Sequence, residues 1–465
     1  MPQPAPPSTE AALDLESLAA EVVSLAMKAG ASDADAVAHE SDEFSVTVRM
    51  GEVETLKESG SRALGLRVFL GLRSGSASTS DLTADGIRQL VEGALALAKV
   101  TEEDPCAGLP EAGEFGSIER DLHLYFDDVY SLAGEERIEW ARRTESAALA
   151  ADPRITNSDG GSFDAATSRR VLANSRGFAG GYRTSYAGVS AAPLAQDADG
   201  KMQRDGWWSG ARRLADIDSP ESVGQEAARR ALRRLGARRV STRQAPVVFA
   251  PEVARSLLGS IFQAASGDAI WRGASFLAGK LGEQIATPAL TIIDDNAMLL
   301  PTGAGGFGTS PFDGEGLPSQ RTMVLESGVL RNYLLNTYAA RKLGMKSTHN
   351  ASRGLGGAPG IGAGNLYLRP GNLSPEQIVA EIPAGLYVTS LMGFGVNIVT
   401  GDYSRGATGL WIENGQLTHA VEEVTIAGNL AEMLRNVSAI GNDLVFRGAI
   451  ASPTLRIEGM TIAGS

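Results

Sequence analysis

Four histidines, His39, His123, His349 and His419, and one cysteine, Cys106, are the residues of this 465-residue chain best suited to hold a transition metal. Their spacing gives little. No two histidines fall on one helical face. His39 stands beside Glu40, Asp42 and Glu43, but without a second histidine at ligand spacing that run reads as a solvated, charged element end. Cys106 sits among acidic residues, with no basic neighbour in sequence to favour a thiolate nucleophile. Asp313 and Glu315, two apart in a glycine-rich turn, have the chemistry of a hard-cation site. With His349 and Asp402 they could instead compose a hydrolytic site. Asp268 and Asn350 complete the polar loop residues that a substrate path or a structural turn would use. Gly303, Gly305 and Gly308 match G-x-G-x-x-G formally, yet no helix signal follows to supply the N-terminus a pyrophosphate needs. Phosphate-loop and G-x-S-x-G patterns do not occur. The glycine loops at 303–318 and 352–365 offer backbone amides that could hold an extended peptide by strand addition.

The composition narrows the setting. A net charge of −13 argues against a nucleic-acid partner, which needs surplus Lys and Arg to displace counterions from phosphates. A single cysteine excludes a disulfide framework. No apolar run reaches the roughly 18 residues of a membrane span, and the N-terminus has neither a basic start nor an apolar signal core. A cytoplasmic protein is expected.

Periodicity supplies the elements. Residues 1–10 read as a disordered proline-rich tail. Leu13, Leu18, Val22 and Leu25 recur at helical spacing up to Gly30. Phe44, Val46, Val48 and Met50, then Leu64, Leu66, Val68 and Leu70, alternate as half-buried strands, with a helix over 83–99. A helix over 133–151, a glycine-punctuated antiparallel meander and a helix opening at Ser219-Pro220 follow. That last helix carries a basic stripe, Arg229, Arg230, Arg233 and Arg234, which reads as a solvated or partner-facing surface. Beyond Ala245, strands are expected at Leu290–Asp294, Arg321–Leu325, Leu386–Ser390, Asn397–Thr400, Thr408–Glu413, Leu417–Ala427 and Leu455–Ile462. The expected class is α+β: an N-terminal α/β domain over 11–120, a central domain over 121–243, and a large, mostly antiparallel or mixed β-rich C-terminal domain over 244–465.

Pro251–Gln284, PEVARSLLGSIFQAASGDAIWRGASFLAGKLGEQ, resembles the active-site segment of the TldD/PmbA metallopeptidase family, whose helix carries HExxxH followed by a short E-G-D turn. Gly267-Asp268 sets the register and puts Leu258 and Gly259 at the family's first His and its Glu, and Gln263 at its second His. Further stretches carry the resemblance along the chain: FDGEGLPSQ, YLLNTYAARKLGMKSTHN, IVTGDYSRGATGLWIENG, VEEVTIAGNLAEML and SPTLRIEGMTIAG. Together they are similar to the TldE (PmbA) branch. The resemblance implies a heterodimer with a TldD-like catalytic subunit, acting on unfolded or extended peptides or on peptide precursors, with homodimers possible when the chain is alone. Zinc is implied in the partner, held by two histidines and a cysteine, with the motif Glu as base. In this chain every such position departs, so no metal, no cofactor and no catalytic residue is expected here. The family name "modulator of DNA gyrase" implies a regulatory alternative, which the acidic charge does not support.

Overall fold

The computed structural model describes residues 14–464, so the expected tail at 1–10 lies outside the described residues. Asp14 caps α1 (Leu15–Lys28), its carboxylate accepting the Glu16 amide at 3.2 Å. The chain then builds β1 (Asp33–Arg49), β2 (Glu52–Leu70) and β3 (Arg73–Thr79), and Thr83 caps α2 (Ala84–Val100). After α3 (Gly134–Leu149) come β4 (Ile155–Asn174), β5 (Ala179–Gln196), β6 (Met202–Arg204), β7 (Trp207–Ala211) and α4 (Pro220–Leu232), the last with Ser219 as cap and Pro220 in its first turn. The strands form one antiparallel seven-stranded sheet in the order β3-β2-β1-β4-β5-β6, with β7 also on β5. At its centre β1 pairs with β4 from Asp35–Asn174 to Val48–Gly161. Strands from before and after residue 120 therefore belong to a single sheet.

The alternation of β1 explains its two environments. Ala34, Ala36, Ala38, Phe44, Val46 and Val48 all point to one face, where α1 and α2 cover one half and α3 and α4 the other. On the opposite face Asp35 and Val37 meet the C-terminal half of the chain. The run from His39 to Glu43 is thus not an element end but the middle of β1, with Asp42 and Glu43 exposed to solvent as expected. Asp35 is buried because Arg67 of β2 and Arg353 answer its charge, which sequence spacing could not reveal. His39 and Glu40 point to opposite faces, so the run gathers no ligand set.

Gly65 of β2 shows how closely the halves approach. A Cβ there would lie 1.8 Å from the Leu355 carbonyl oxygen. Gly65→Ala is expected to cost about 2–3 kcal/mol through overpacking against backbone. A lowered urea midpoint with an unchanged m-value checks this.

The C-terminal half begins with β8 (Arg243–Phe249), α5 (Pro251–Ala265) and α6 (Gly267–Trp271). It continues through β9 (Ile292–Asp295), β10 (Arg321–Glu326), β11 (Val329–Leu330), α7 (Thr337–Leu343), β12 (Ala351–Ser352), β13 (Gly360–Ile361) and β14 (Leu366–Leu368). The remaining elements are α8 (Pro375–Ala380), β15 (Ala384–Met392), β16 (Asp402–Glu413), β17 (Gln416–Asn429), α9 (Leu430–Arg435), β18 (Val437–Ile440), β19 (Ile450–Ala451) and β20 (Leu455–Ala463). One mixed sheet runs β17-β16-β15-β8-β20-β18, and β17 also pairs with β20, closing five of the strands into a ring. A second sheet runs β11-β10-β9-β14-β19. The architecture is α+β, with a mixed, β-rich C-terminal part. The strand expected at Asn397–Thr400 is instead a turn: the Asn397 side chain accepts the Val399 amide at 2.9 Å, and Gly401 follows at φ +84°.

Candidate functional site

Helix α5 starts at Pro251, whose missing N–H costs nothing in a first turn, and buries Val253, Leu257, Leu258 and Ile261. Its end is fixed by contact. Gly267 donates its amide to the Leu334 carbonyl, and a Cβ at 267 would sit 2.6 Å from Leu335 and Ala339 side-chain atoms.

The three positions that the resemblance aligns with the metal motif have separate fates. Leu258 is 1 % exposed and faces a void of about 20 Å³ lined only by apolar side chains, among them Leu290, Ile292, Leu368, Met433 and Leu455. Gly259 lies on the outer side, where an added Cβ would meet nothing within 4 Å. Gln263 is exposed, about 140° around the helix from Leu258. A buried hydrocarbon and a hydrogen supply no ligand, and the single exposed amide of Gln263 does not fit zinc. Among the described residues, no group of three or more His, Cys, Asp or Glu is assembled to hold a metal ion.

The polar loop residues divide into a cluster and two outliers. Asp313, Glu315 and Asn350 come together where the two glycine loops meet, with His349 beside them and a polar cavity of about 190 Å³. Asp313 accepts the amides of Glu315 (2.9 Å), Leu317 (3.0 Å) and Ala351 (3.1 Å). Glu315 accepts the Thr337 amide and hydroxyl at 2.9 and 2.6 Å. Asn350 donates to Asp294 at 2.6 Å, and His349 Nδ1 bonds the Pro318 carbonyl at 2.7 Å. Burial raises the carboxyls of Asp313 and Glu315 and pushes Asp294 up to about 7. These groups are spent on pinning loops to one another. Asp402 lies elsewhere, exposed and bonded by Thr400 (2.6 Å), and Asp268 takes the Trp271 indole N–H at 3.4 Å. The four-residue arrangement of His349, Asp313, Glu315 and Asp402 is not assembled.

The basic stripe of α4 behaves differently from its sequence reading. Arg230 is buried and Arg233 half-buried, and both line a cavity of about 290 Å³ between α4, the start of α5 and the segment 443–452. Trp207 and Trp208 form one wall. The arginine spacing was visible in sequence. What turned it inward was β7, a five-residue strand whose two tryptophans give the guanidinium groups a surface to stack on.

Models for the three domains of the PmbA/TldA metallopeptidases match this chain: domain 1 at 34–98, the central domain at 127–235 and the C-terminal domain at 242–464. The chain belongs to the PmbA/TldD metallopeptidase family. Within it, the metalloprotease PmbA of Escherichia coli O157:H7 is 40% identical over 447 residues, 96% of each chain. A PmbA homologue of Haemophilus influenzae is 37% identical, covering 95% of this chain and 94% of its own. That organism's TldD homologue is 24% identical over 87% of each. Among solved structures, a Bacteroides thetaiotaomicron protein described as a modulator of DNA gyrase superposes with a TM-score of 0.89 at 27% identity, covering 97% of this chain and 99% of that one. TldE of Thermococcus kodakarensis shares the fold, with a TM-score of 0.85 at 21% identity over 96% and 100%.

Proposed function

We propose that this chain is the non-catalytic, TldE-like subunit of a two-component metalloprotease. It pairs with a TldD-like chain that carries zinc, shapes the enclosed space between them, and guides unfolded or extended peptides and peptide precursors to the partner's metal. The observation that carries this reading is helix α5, which keeps the helix-turn frame of the family while Leu258 is sealed in hydrocarbon and Gly259 has no side chain. The PmbA and TldE names of its relatives support the assignment to this branch. We place the pair in the cytoplasm; among the described residues no helix is long and apolar enough to cross a membrane. A homodimer in the partner's absence belongs to the same proposal.

The test is co-purification with a TldD-like paralogue bearing HExxxH, followed by metal analysis of each subunit and a peptide-cleavage assay. Zinc is expected at about one equivalent in the partner and none here, with cleavage only by the mixture. Stoichiometric zinc and chelator-sensitive cleavage by this chain alone would overturn the reading.

A further inference from the structure

The cavity between α4 and α5 is built from cations that the protein itself leaves short of partners. The Arg230 side chain is 7% exposed, yet its Nε has no hydrogen-bond partner. Its Nη1 makes one long hydrogen bond to Glu252 at 3.4 Å, while Asp205 (3.7 Å) and Glu226 (4.0 Å) stand off. Arg233 is in the same condition, with Nε and Nη2 unpartnered and Asp205 at 3.8 Å. Burial, and next the charge of Arg230, push Arg233 down to about 10.

The walls hold the guanidinium groups beside the indole rings. Arg230 lies 4.5 Å and Arg447 4.3 Å from the Trp207 ring centre, and Arg255 lies 5.5 Å from that of Trp208. Arg230 Nη1 donates to Glu252 at 3.4 Å, Arg255 Nε to the Glu252 carbonyl at 3.2 Å and Arg447 Nη1 to the Trp208 carbonyl at 2.9 Å. The remaining N–H groups of each fork suit a two-oxygen acceptor, a geometry lysine does not offer. Asp443 lines the cavity but gives both oxygens to Thr454, at 2.9 and 2.7 Å. Five arginines and three carboxylates line the space, and Asp205 and Asp218 stand behind that lining, 3.7 Å from Arg230 and 4.0 Å from Arg447. The positive end of α5, a helix of 15 residues, adds to it. The unpartnered N–H groups of Arg230 and Arg233 suit an anionic acceptor, and the indole rings with Val445 and Ile450 suit an aliphatic group beside it.

We infer that this cavity binds the terminal carboxylate of an extended peptide, gripped by Arg230, Arg255 and Arg447 against the Trp207–Trp208 wall. The inference rests on the peptide-handling reading above and gives that reading a place where one end of the substrate is fixed. A free phosphate group shares much of this chemistry, so the test separates the two.

The full-length chain, without any partner, is titrated calorimetrically with N-acetyl-Ala-Ala-Leu bearing a free carboxylate, with its C-terminal amide, and with inorganic phosphate. Saturable binding of the acid is expected, at least tenfold weaker for the amide, weakening with added salt. Arg255→Gln and Arg447→Gln each reduce affinity at least fivefold; both sites are partly exposed, so if one variant misfolds the other still reports. Equal binding of acid and amide, no saturable binding, unchanged affinity in the variants, or binding of phosphate alone would each overturn the inference. Carboxylate binding without a TldD-like complex would leave the cavity standing and sink the subunit assignment. A working complex without carboxylate binding would do the reverse.

Discussion

Leu258→His is expected to destabilise the chain by about 4 kcal/mol and to recruit no zinc. Leu258 is among the largest fully buried side chains, and its neighbours across the void are all apolar. Removing a buried leucine forfeits roughly 2–3 kcal/mol of transfer free energy. Imidazole nitrogens placed there without partners add about 1–3 kcal/mol. The triple change Leu258→His, Gly259→Glu, Gln263→His restores the letters of HExxxH, but position 258 faces only apolar side chains and the cysteine of the implied ligand set is missing, so no tight zinc site results. Urea denaturation gives the stability loss, and metal analysis after equilibration with zinc gives the stoichiometry. A triple variant of unchanged stability that holds one tight zinc would show that α5 presents these positions to a site, and would remove the argument for a non-catalytic subunit.

The second large effect is a dependence of stability on pH set by Asp294. This carboxyl is 1% exposed; its Oδ2 accepts the Asn350 amide at 2.6 Å while its Oδ1 has no partner. Burial raises it to about 7 in the folded chain, against an ordinary value of 3.8. Between those values the unfolded chain has released the proton and the folded chain still holds it. Stability therefore falls as pH rises from about 4 to 7 and stays low above, by up to roughly 4 kcal/mol for a shift of this size. Asp294→Asn keeps the shape and the acceptor for Asn350 without the charge. The variant is expected to lie within about 1 kcal/mol of the parent at pH 4.5 and to exceed it by several kcal/mol at pH 8. Parallel stability curves for the two proteins across that range would refute a raised carboxyl at this position.

Periodic elements were readable because their signals are local. The helices at 15–28, 84–100, 220–232 and 251–265 each combine a 3.6-residue apolar stripe with a cap or first-turn proline, or both, and that at 134–149 opens with the Glu136 side chain accepting the Ala133 amide. Helix α7, seven residues from the Asn336 cap to Gly344 at φ +63°, is too short for periodicity, and only its two ends spelled it out. The strand β1 was read from Phe44 rather than Asp33 because small alanines and a buried aspartate disguise its inner half. Asp35 is tolerated only through Arg67 and Arg353, which lie 32 and 318 positions away. The site shows the same limit. Sequence located α5, Asp313, Glu315 and Asn350, but the Arg–Trp cavity needs α4, β7, the start of α5 and residues 443–452 at once, and no window of sequence contains them.

The central pairing of β1 with β4 also governs how the chain must be made. Val48 waits for Gly161 and Asp35 for Asn174, so the middle of the sheet joins residues more than a hundred positions apart. Loop closure on that scale makes such pairings late and slow. A ribosome that has released only the first 120 residues presents the long β1–β2 hairpin with the inner edge of β1 bare, a strand template open to any extended neighbour. The first hundred residues are thus a half-sheet in waiting, and their safety during synthesis depends on how soon β4 arrives.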